Sequence, residues 1–490
     1  VIEPTAEAAA GQHVDPAAER HRAARERHWD GVARRWGASR GLASAYQQRL
    51  QRVYRHLVPP GQRVLELGCG SGDLLAALAP SRGVGIDLSA EMVKLARDRH
   101  RQLEIHHLDA ERAAAVLAGE SFDFIVLSDL VNEVWDVQAL FEQVAALSHR
   151  GTRVVLNAYS RVWQLPLGLA RGLGLTRPVL PQSWLTAADL QGLLRLAELR
   201  PLRRWEEVLL PLPVPLVAAL CNRLLVRLWP FRHLALANFF LARPQPRPAS
   251  QPLRVSVIVP ARNEAGNIAA AFERTPEMGA GTELVFVEGH SSDDTYATIE
   301  REIARHPRRP ARLLRQTGKG KGDAVRLGFA EASGDVLMIL DADLTVPPEE
   351  LPRFYRALAD GVGELVNGVR LVYPMEDQAM RFANLLGNKA FSYAFTWLLG
   401  QPVKDTLCGT KVIRRDDYQR LAANRQHFGD FDPFGDFDLL FGAAKLGLEV
   451  VEVPVRYRER TYGTTNIQRW RHGLLLLRMC VFAAGRIKLV

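Results

Sequence analysis

Two short stretches of this 490-residue chain combine residue types that can do chemistry. Near the start, Glu66-Leu67-Gly68-Cys69-Gly70-Ser71-Gly72 sets an acidic residue ahead of three alternating glycines, whose missing side chains let backbone approach a nucleoside cofactor. Well past the middle, Leu340-Asp341-Ala342-Asp343-Leu344 offers two carboxylates separated by one residue. Such hard oxygen donors suit Mg2+ or Mn2+ shared with a nucleoside diphosphate. The two motifs belong to different kinds of site, so the chain is expected to carry two enzymes.

Each motif needs a strand to deliver it. Apolar runs at 63–67, 83–87, 103–108, 122–127 and 152–157 read as strands separated by helical stretches, an alternation that implies a parallel sheet. The first strand runs directly into the glycine turn, with a helix from about Asp73, and the second ends at Asp87. The alternation restarts at 255–259, 283–287, 312–315 and 336–340, and the last of these strands delivers Asp341 and Asp343. Between the two halves, the proline-dense stretch from Arg243 to Pro252 reads as a stiff linker. The motifs do not recur at matching offsets, so the halves are different folds rather than a duplication.

Composition narrows the field. Hydrophobic residues at 47% and charged residues at 24% describe a globular protein rather than a disordered or polytopic one. The net charge of +9 is spread through both halves without an RNA-binding aromatic motif, which favours phosphate ligands and anionic lipid over nucleic acid. Four cysteines without metal-type spacing fit a reducing cytoplasm, and no secretory signal opens the sequence. The apolar segments at 209–242 and 473–490 are too interrupted or too short to span a bilayer.

The glycine turn, Gly85-Ile86-Asp87-Leu88-Ser89, Asp109 and Phe122-Asp123 together resemble class I S-adenosylmethionine-dependent methyltransferases over about 28–243. The resemblance implies a Rossmann-like domain that binds S-adenosylmethionine through Glu66, Gly68, Gly70 and Gly72. Asp87 would then hold the ribose, Asp109 the adenine amino group, and Ser128 the rim of the site. Asp129, Asn132, Glu133 and Asp136 lie where family members often contact acceptors, although a solvated helix start explains them equally. His106 and His107, adjacent on a strand, point to opposite faces and are not a chelating pair. Arg223, Arg227 and Arg232 lie among apolar residues near 209–232, either flat on a membrane or in an insertion packed over the sheet.

In the second half, Val255 to Glu264, Gly318-Lys319-Gly320-Lys321-Gly322-Asp323-Ala324, Ser333-Gly334-Asp335 and the aspartate pair resemble glycosyltransferase family 2, especially dolichyl-phosphate mannose synthase-like enzymes. The resemblance covers about 253–472 and implies a GT-A fold, a UDP- or GDP-linked sugar donor and a polyprenyl phosphate acceptor. By position, Pro260, Arg262, Glu264, Glu288 and Lys321 serve the donor, and Asp341 and Asp343 the metal and diphosphate. Arg262 stands where an aromatic is common, Glu288 replaces an aspartate, and Thr345 replaces a glutamine that can complete a metal shell. Arg370, Arg381 and Arg460 align with phosphate-binding arginines, while Asn466 stands where that last motif usually has lysine.

A phosphate nucleophile needs no base, because a monoester with a second pKa of about 6 is already largely dianionic at neutral pH. Attack opposite the leaving diphosphate implies inversion at the anomeric carbon. A hydroxyl acceptor would need a base, for which Asp438 is the second-ranked reading. Asp405 either orients sugar or backbone or belongs to a polar turn.

The expected architecture is an N-terminal extension at 1–27, a methyltransferase domain at 28–243 with an apolar insertion near 209–232, a linker at 244–252, a GT-A domain at 253–472 and an amphipathic segment at 473–490. The expected protein is a bifunctional enzyme, peripheral at the cytoplasmic face of the cell membrane. It joins methyl transfer to metal-dependent, inverting transfer of a sugar to polyprenyl phosphate. The alternatives are a glycan hydroxyl acceptor, and a methyltransferase half that only binds S-adenosylmethionine as a regulatory module.

Overall fold

The computed structural model describes residues 15–35, 42–172, 180–212, 214–370, 372, 382–425, 436–458, 460, 462 and 477–488. The chain divides into two compact units, Val1–Pro244 and Gln245–Val490. One helix, Pro16–Arg34, lies across position 27 within the first unit.

The first unit is built on a seven-stranded sheet in the order β3-β2-β1-β4-β5-β7-β6. Its strands are β1 (Arg63–Leu67), β2 (Arg82–Asp87), β3 (Glu104–His107), β4 (Phe124–Ser128), β5 (Arg153–Tyr159), β6 (Leu199–Glu207) and β7 (Ala237–Pro244). β1 to β5 pair in parallel, as the alternation with helices requires. β6 and β7 are antiparallel additions at one edge, so the sheet is mixed rather than wholly parallel. The sequence reading missed them because β6 is rich in charge and β7 lay inside the apolar 209–242 run. Arg243 and Pro244 belong to β7, and Arg243 is buried, so these two residues are part of the sheet rather than free linker.

Residues alternate between the faces of each strand. Leu65 and Leu67 face one core and Val64 the other. The helices covering the sheet include α1 (Pro16–Arg34), α2 (Leu42–Leu57), α3 (Asp73–Ala77), α4 (Ala90–Arg99) and α5 (Ala113–Val116), followed by α6 (Val137–Ala146), α7 (Gln164–Gly172), α8 (Ala187–Leu196) and α9 (Pro215–Ala219). α1 is tied down where its Asp30 accepts from the Ser89 hydroxyl (2.5 Å), at the start of α4.

The second unit has a sheet ordered β10-β9-β8-β11-β13-β12-β14. Its strands are β8 (Val255–Ala261), β9 (Thr282–Glu288), β10 (Ala311–Arg315), β11 (Val336–Ile339), β12 (Leu365–Val369), β13 (Lys411–Arg414) and β14 (Val450–Pro454). β13 runs antiparallel to both its neighbours, β11 and β12. Leu337 and Ile339 enter one core while Val336 and Met338 enter the other. The helices used below are α10 (Ile268–Arg274), α11 (Thr295–Arg305) and α12 (Lys321–Glu331). In each unit the strand order reverses around a central strand, β1 or β8, and open α/β sheets bind ligands at the carboxyl ends of the strands beside such a reversal.

Candidate active sites

At the carboxyl end of β1, Gly68, Gly70 and Gly72 all take left-handed backbone, with φ of 74°, 51° and 73°. Residues with a Cβ disfavour that region, which accounts for the spacing of the glycines. A Cβ added at Gly70 would meet nothing within 4 Å, so this turn of backbone faces open space. Asp87 braces the turn from β2, accepting from Gly70 N (2.7 Å) and Ser89 N (2.9 Å). Each carboxylate oxygen retains a second lone pair for a ribose hydroxyl. Burial raises the Asp87 carboxyl pKa, against those two amides. The Glu66 carboxylate is buried with Oε2 lacking a hydrogen-bond partner, and burial pushes its pKa well up.

Asp109 follows β3 and caps a short turn by accepting from Glu111 N (3.1 Å). Ser128 ends β4, half-buried. Of the four acceptor candidates, Asp136 caps α6 by accepting from Ala139 N (3.0 Å). Asn132 ties Ser183 O to Tyr159 N (2.6 and 2.9 Å), and Glu133 pairs with buried Arg25 of α1 and accepts from Gln182 (2.9 Å). These three have structural work. Asp129 differs, standing in left-handed backbone (φ 57°) beside Leu130, whose Cδ1 would lie 2.9 Å from a Cβ at Gly68. Both hydrogen bonds to its side chain, from Tyr46 Oη (2.8 Å) and from Asn157 Nδ2, fall on Oδ1. Desolvation lifts its pKa to about 6, with the bonds from Tyr46 and Asn157 opposing. Nothing in the spacing of Tyr46 and Asn157 links them to Asp129, so the trio was not legible in sequence. His106 and His107 bond separately, to Glu104 and to Leu88 O.

In the second unit, Asp341 follows β11 and is met by Lys321 Nζ at 2.6 Å from the start of α12. Burial alone would raise the Asp341 pKa, but Lys321, Lys411 and Arg370 reverse the sign and hold it below the usual carboxylate range. Asp343 accepts from Thr345 N (3.1 Å) and Thr345 Oγ1 (2.8 Å) through Oδ1, and from Arg460 Nη2 (2.7 Å) through Oδ2. Thr345 therefore orients the second aspartate. The other arm of Arg460 reaches Glu264 at 2.8 Å, in the loop after β8. Glu264 is pinned by Asn267 Nδ2 (2.7 Å), and burial raises its carboxyl pKa despite Arg460.

Glu288 ends β9, buried, accepting from Ser291 N (2.5 Å) with Arg315 at 3.8 Å. Pro260 is half-buried on β8 and Arg262 exposed just beyond it. Arg370, after β12, forms a two-pronged pair with fully buried Asp405 (2.8 and 2.9 Å) and lies over the Tyr457 ring. Asp405 is thus a clamp for Arg370 rather than an ordinary turn residue. Arg381 and the 463–466 motif stretch, with Asn466, lie outside the described residues. Asp438 is gathered with Arg425 (3.1 Å) and Arg326 (3.9 Å), so its carboxylate is held in ion pairs.

Two further participants carried no motif. Gly409 packs so close that a Cβ would lie 2.0 Å from Asp341 Oδ2 and 2.3 Å from Lys321 Nζ. Lys411, fully buried on β13, donates to Cys408 O and adds positive charge near Asp341. Among the described residues, no group of three or more His, Cys, Asp or Glu could hold a metal ion by itself.

The chain matches the glycosyl transferase family 2 model over residues 256–422 and a methyltransferase domain model over residues 64–151. It is 30% identical over 223 residues to a dolichol-phosphate mannosyltransferase of Pyrococcus furiosus, a match covering 44% of this chain and 60% of the relative. Identity to a dolichyl-phosphate hexose transferase of Haloferax volcanii is 30% over 208 residues, 42% of this chain and 82% of that relative. With an undecaprenyl-phosphate 4-deoxy-4-formamido-L-arabinose transferase of Edwardsiella ictaluri it is 27% over 228 residues, 46% of this chain and 64% of the relative. The match thus spans under two thirds of the first and third of these relatives. The chain therefore belongs to glycosyl transferase family 2, through residues 256–422, and carries a methyltransferase domain at residues 64–151 ahead of it.

Proposed function

We propose that the second unit transfers a sugar from a nucleoside diphosphate to a polyprenyl phosphate with inversion, and that the first unit is an S-adenosylmethionine-dependent methyltransferase. The observation that carries the glycosyltransferase reading is the pairing of Lys321 with Asp341 and of Arg460 with both Asp343 and Glu264, which ties donor-loop and acceptor-motif positions to the aspartate pair. The names of the relatives support polyprenyl phosphate as acceptor.

The donor set at Asp341 and Asp343 fits Mg2+ or Mn2+. Both are carboxylates, and with no third acidic or imidazole ligand grouped beside them among the described residues the remaining shell would come from diphosphate and water, the usual habit of magnesium. A divalent ion held there supplies positive charge against the departing diphosphate. Lys321 adds a fixed cation beside Asp341, and Glu288 and Arg262 stand at the ends of β9 and β8 for the nucleoside. Arg370 spends Nε and Nη2 on Asp405, which fixes the guanidinium plane and leaves Nη1 for the acceptor phosphate. By the family resemblance, Arg460 and Arg381 would also serve the acceptor phosphate. The pairing of Asp438 with two arginines disfavours the hydroxyl-acceptor alternative.

The first unit fits S-adenosylmethionine through the open face at Gly70, the braced Asp87 and the orphaned Glu66 Oε2. When bound, the cofactor supplies an electrophilic methyl group. Glu66 and Asp87 would accept its donors, Asp109 and Ser128 would border it, and Asp129 stands where an acceptor proton could go.

The test incubates purified protein with Mg2+ or Mn2+, a panel of UDP- and GDP-sugars and undecaprenyl phosphate, comparing wild type with Asp343→Ala. Metal-dependent glycolipid that disappears in the variant supports the reading. Turnover with soluble glycans alone moves the acceptor to the Asp438 side and overturns it. For the first unit, radiolabel transfer from S-adenosylmethionine to extracted lipid or glycan should vanish in Gly70→Arg; tight binding without transfer points to a regulatory module.

A further inference from the structure

The first unit carries an apolar surface that its fold does not use. Leu165 and Leu169 on α7 are 78% and 70% exposed, and Leu216 on α9 and Trp229 beyond it are 86% and 76% exposed. Leu220 and Leu224 continue the outward row between α9 and Trp229. The two segments meet at one end, where Trp163 Nε1 donates to Leu234 O (2.9 Å) and Ser160 N to Leu236 O (2.8 Å). Soluble monomers rarely expose contiguous apolar patches beyond a few hundred Å2, and larger ones mark interaction sites.

This surface is built, not frayed. Its inner side is held by a polar clamp in which buried Glu207 receives Arg49 (2.8 Å), Arg227 and Trp205 Nε1 (3.1 Å). Asn222 closes on both N and O of Leu210 (2.8 Å each), and Arg49 also donates to Asn222 O (2.9 Å). The clamp pairs charged groups at the centre and turns the leucines outward, the reverse of ordinary core packing. Arg227 is part of that clamp and is not available to a ligand phosphate.

The charge near the patch is mostly positive, with Asp189 close enough to Arg161 to interact with it. The sequence contains no Asp or Glu between Glu142 and Asp189, nor between Glu207 and Glu264. Arg161, Arg223 and Arg232 are exposed within these stretches. No described helix is long and apolar enough to cross a membrane. An apolar face with exposed arginines beside it matches the interface of an anionic bilayer, where side chains enter the acyl boundary and guanidinium groups stay with phosphate. A second copy of the chain fits less well, because a two-fold interface sets the patch against itself and brings Arg223 and Arg232 towards their own copies.

We propose that α7 and residues 214–234 form a docking surface for anionic lipid bilayers, with Leu165, Leu169, Leu216 and Trp229 entering the acyl boundary and Arg223 and Arg232 meeting lipid phosphates. The proposal concerns the methyltransferase unit and holds whether the sugar acceptor is a lipid phosphate or a soluble hydroxyl.

The full chain is mixed with vesicles of phosphatidylglycerol and phosphatidylethanolamine, and separately with phosphatidylcholine vesicles, and bound protein is recovered by flotation. Binding should favour the anionic vesicles, and Leu216→Glu combined with Leu220→Glu should weaken it by about tenfold or more, since charges enter the acyl boundary at a cost. Both positions are exposed, so circular dichroism should be unchanged. Lipids brominated on their acyl chains should quench tryptophan fluorescence, and Trp229→Phe should remove most of that quenching, which separates contact at this surface from attachment through the other unit. Unchanged flotation of the double variant, or quenching that persists in Trp229→Phe, overturns the proposal. So does light scattering that shows a dimer dissociated by the double variant, which would make the face a self-association interface.

Discussion

Arg460 bridges Glu264 and Asp343, donating Nη1 to one carboxylate at 2.8 Å and Nη2 to the other at 2.7 Å. A residue aligned with the acceptor site is therefore in direct contact with the carboxylate assigned to metal. Arg460→Ala should lower transfer to undecaprenyl phosphate by about a hundredfold, the usual loss for one donor aimed at developing charge. Arg460→Lys should recover only part, because an ammonium lacks the planar fork. Initial rates decide it, and wild-type turnover in the alanine variant removes Arg460 from the acceptor site.

Gly409 tests the tightness of the cluster. With a Cβ placed 2.0 Å from Asp341 Oδ2 and 2.3 Å from Lys321 Nζ, Gly409→Ala must displace both of them or shift the backbone at 409. Glycosyl transfer should fall by about a hundredfold as the geometry shifts by roughly 1 Å, while methyl transfer stays unchanged. Equal loss of both activities in the same preparation would indicate misfolding instead.

Asp405 and Arg370 form a buried pair, and removing one partner strands the other. Asp405→Asn should destabilise the second unit by about 3–5 kcal/mol, read from denaturant unfolding. Burial raises the Asp405 carboxyl pKa, but Arg370 outweighs it and the folded value lies below the usual one. The pair therefore stabilises the fold above the ordinary carboxylate pKa of about 3.9, and that stability is lost as pH falls through the folded value. Wild type and Asp405→Asn should converge in stability in strong acid; a constant gap across the acid range contradicts this linkage.

Asp129 should govern the pH dependence of methyl transfer to a hydroxyl acceptor. Its pKa stands at about 6, so the ionised base accumulates as pH rises past that value and the rate should climb with it. Asp129→Asn should remove the limb and leave S-adenosylmethionine binding, measured by calorimetry, unchanged. The raised pKa also sets the sign for stability. Protonated Asp129 favours the fold below the unfolded pKa, and that contribution disappears as pH rises through about 6. Asparagine should therefore stabilise the first unit near neutral pH, and a variant less stable than wild type there would contradict the desolvation argument.

Much of the fold was legible because its strongest signals are local. The apolar runs at 63–67 and 255–259 became β1 and β8, and the alternation of strands with helices implied the parallel parts of both sheets. The antiparallel edge strands were not legible, since β6 is charged and β7 hid within an apolar stretch whose exposed and buried leucines look alike in sequence. The same ambiguity left the 209–232 segment open between membrane and packing. Its answer lies in the clamp of Glu207, Arg49 and Asn222, three residues far apart along the chain.

By itself the sequence determined the two-part organisation, the glycine turn at 68–72 and the aspartate pair at 341 and 343. Each is a short-range pattern imposed by backbone geometry or by one ligand's chemistry. Only the tertiary structure decided how each charge is neutralised: Arg460 on Asp343 and Glu264, Lys321 on Asp341, Asp405 on Arg370, and Tyr46 with Asn157 on Asp129. The physical reason is that electrostatic partners are chosen by distance in space, and folding sets that distance between residues whose separation along the chain carries no trace of it.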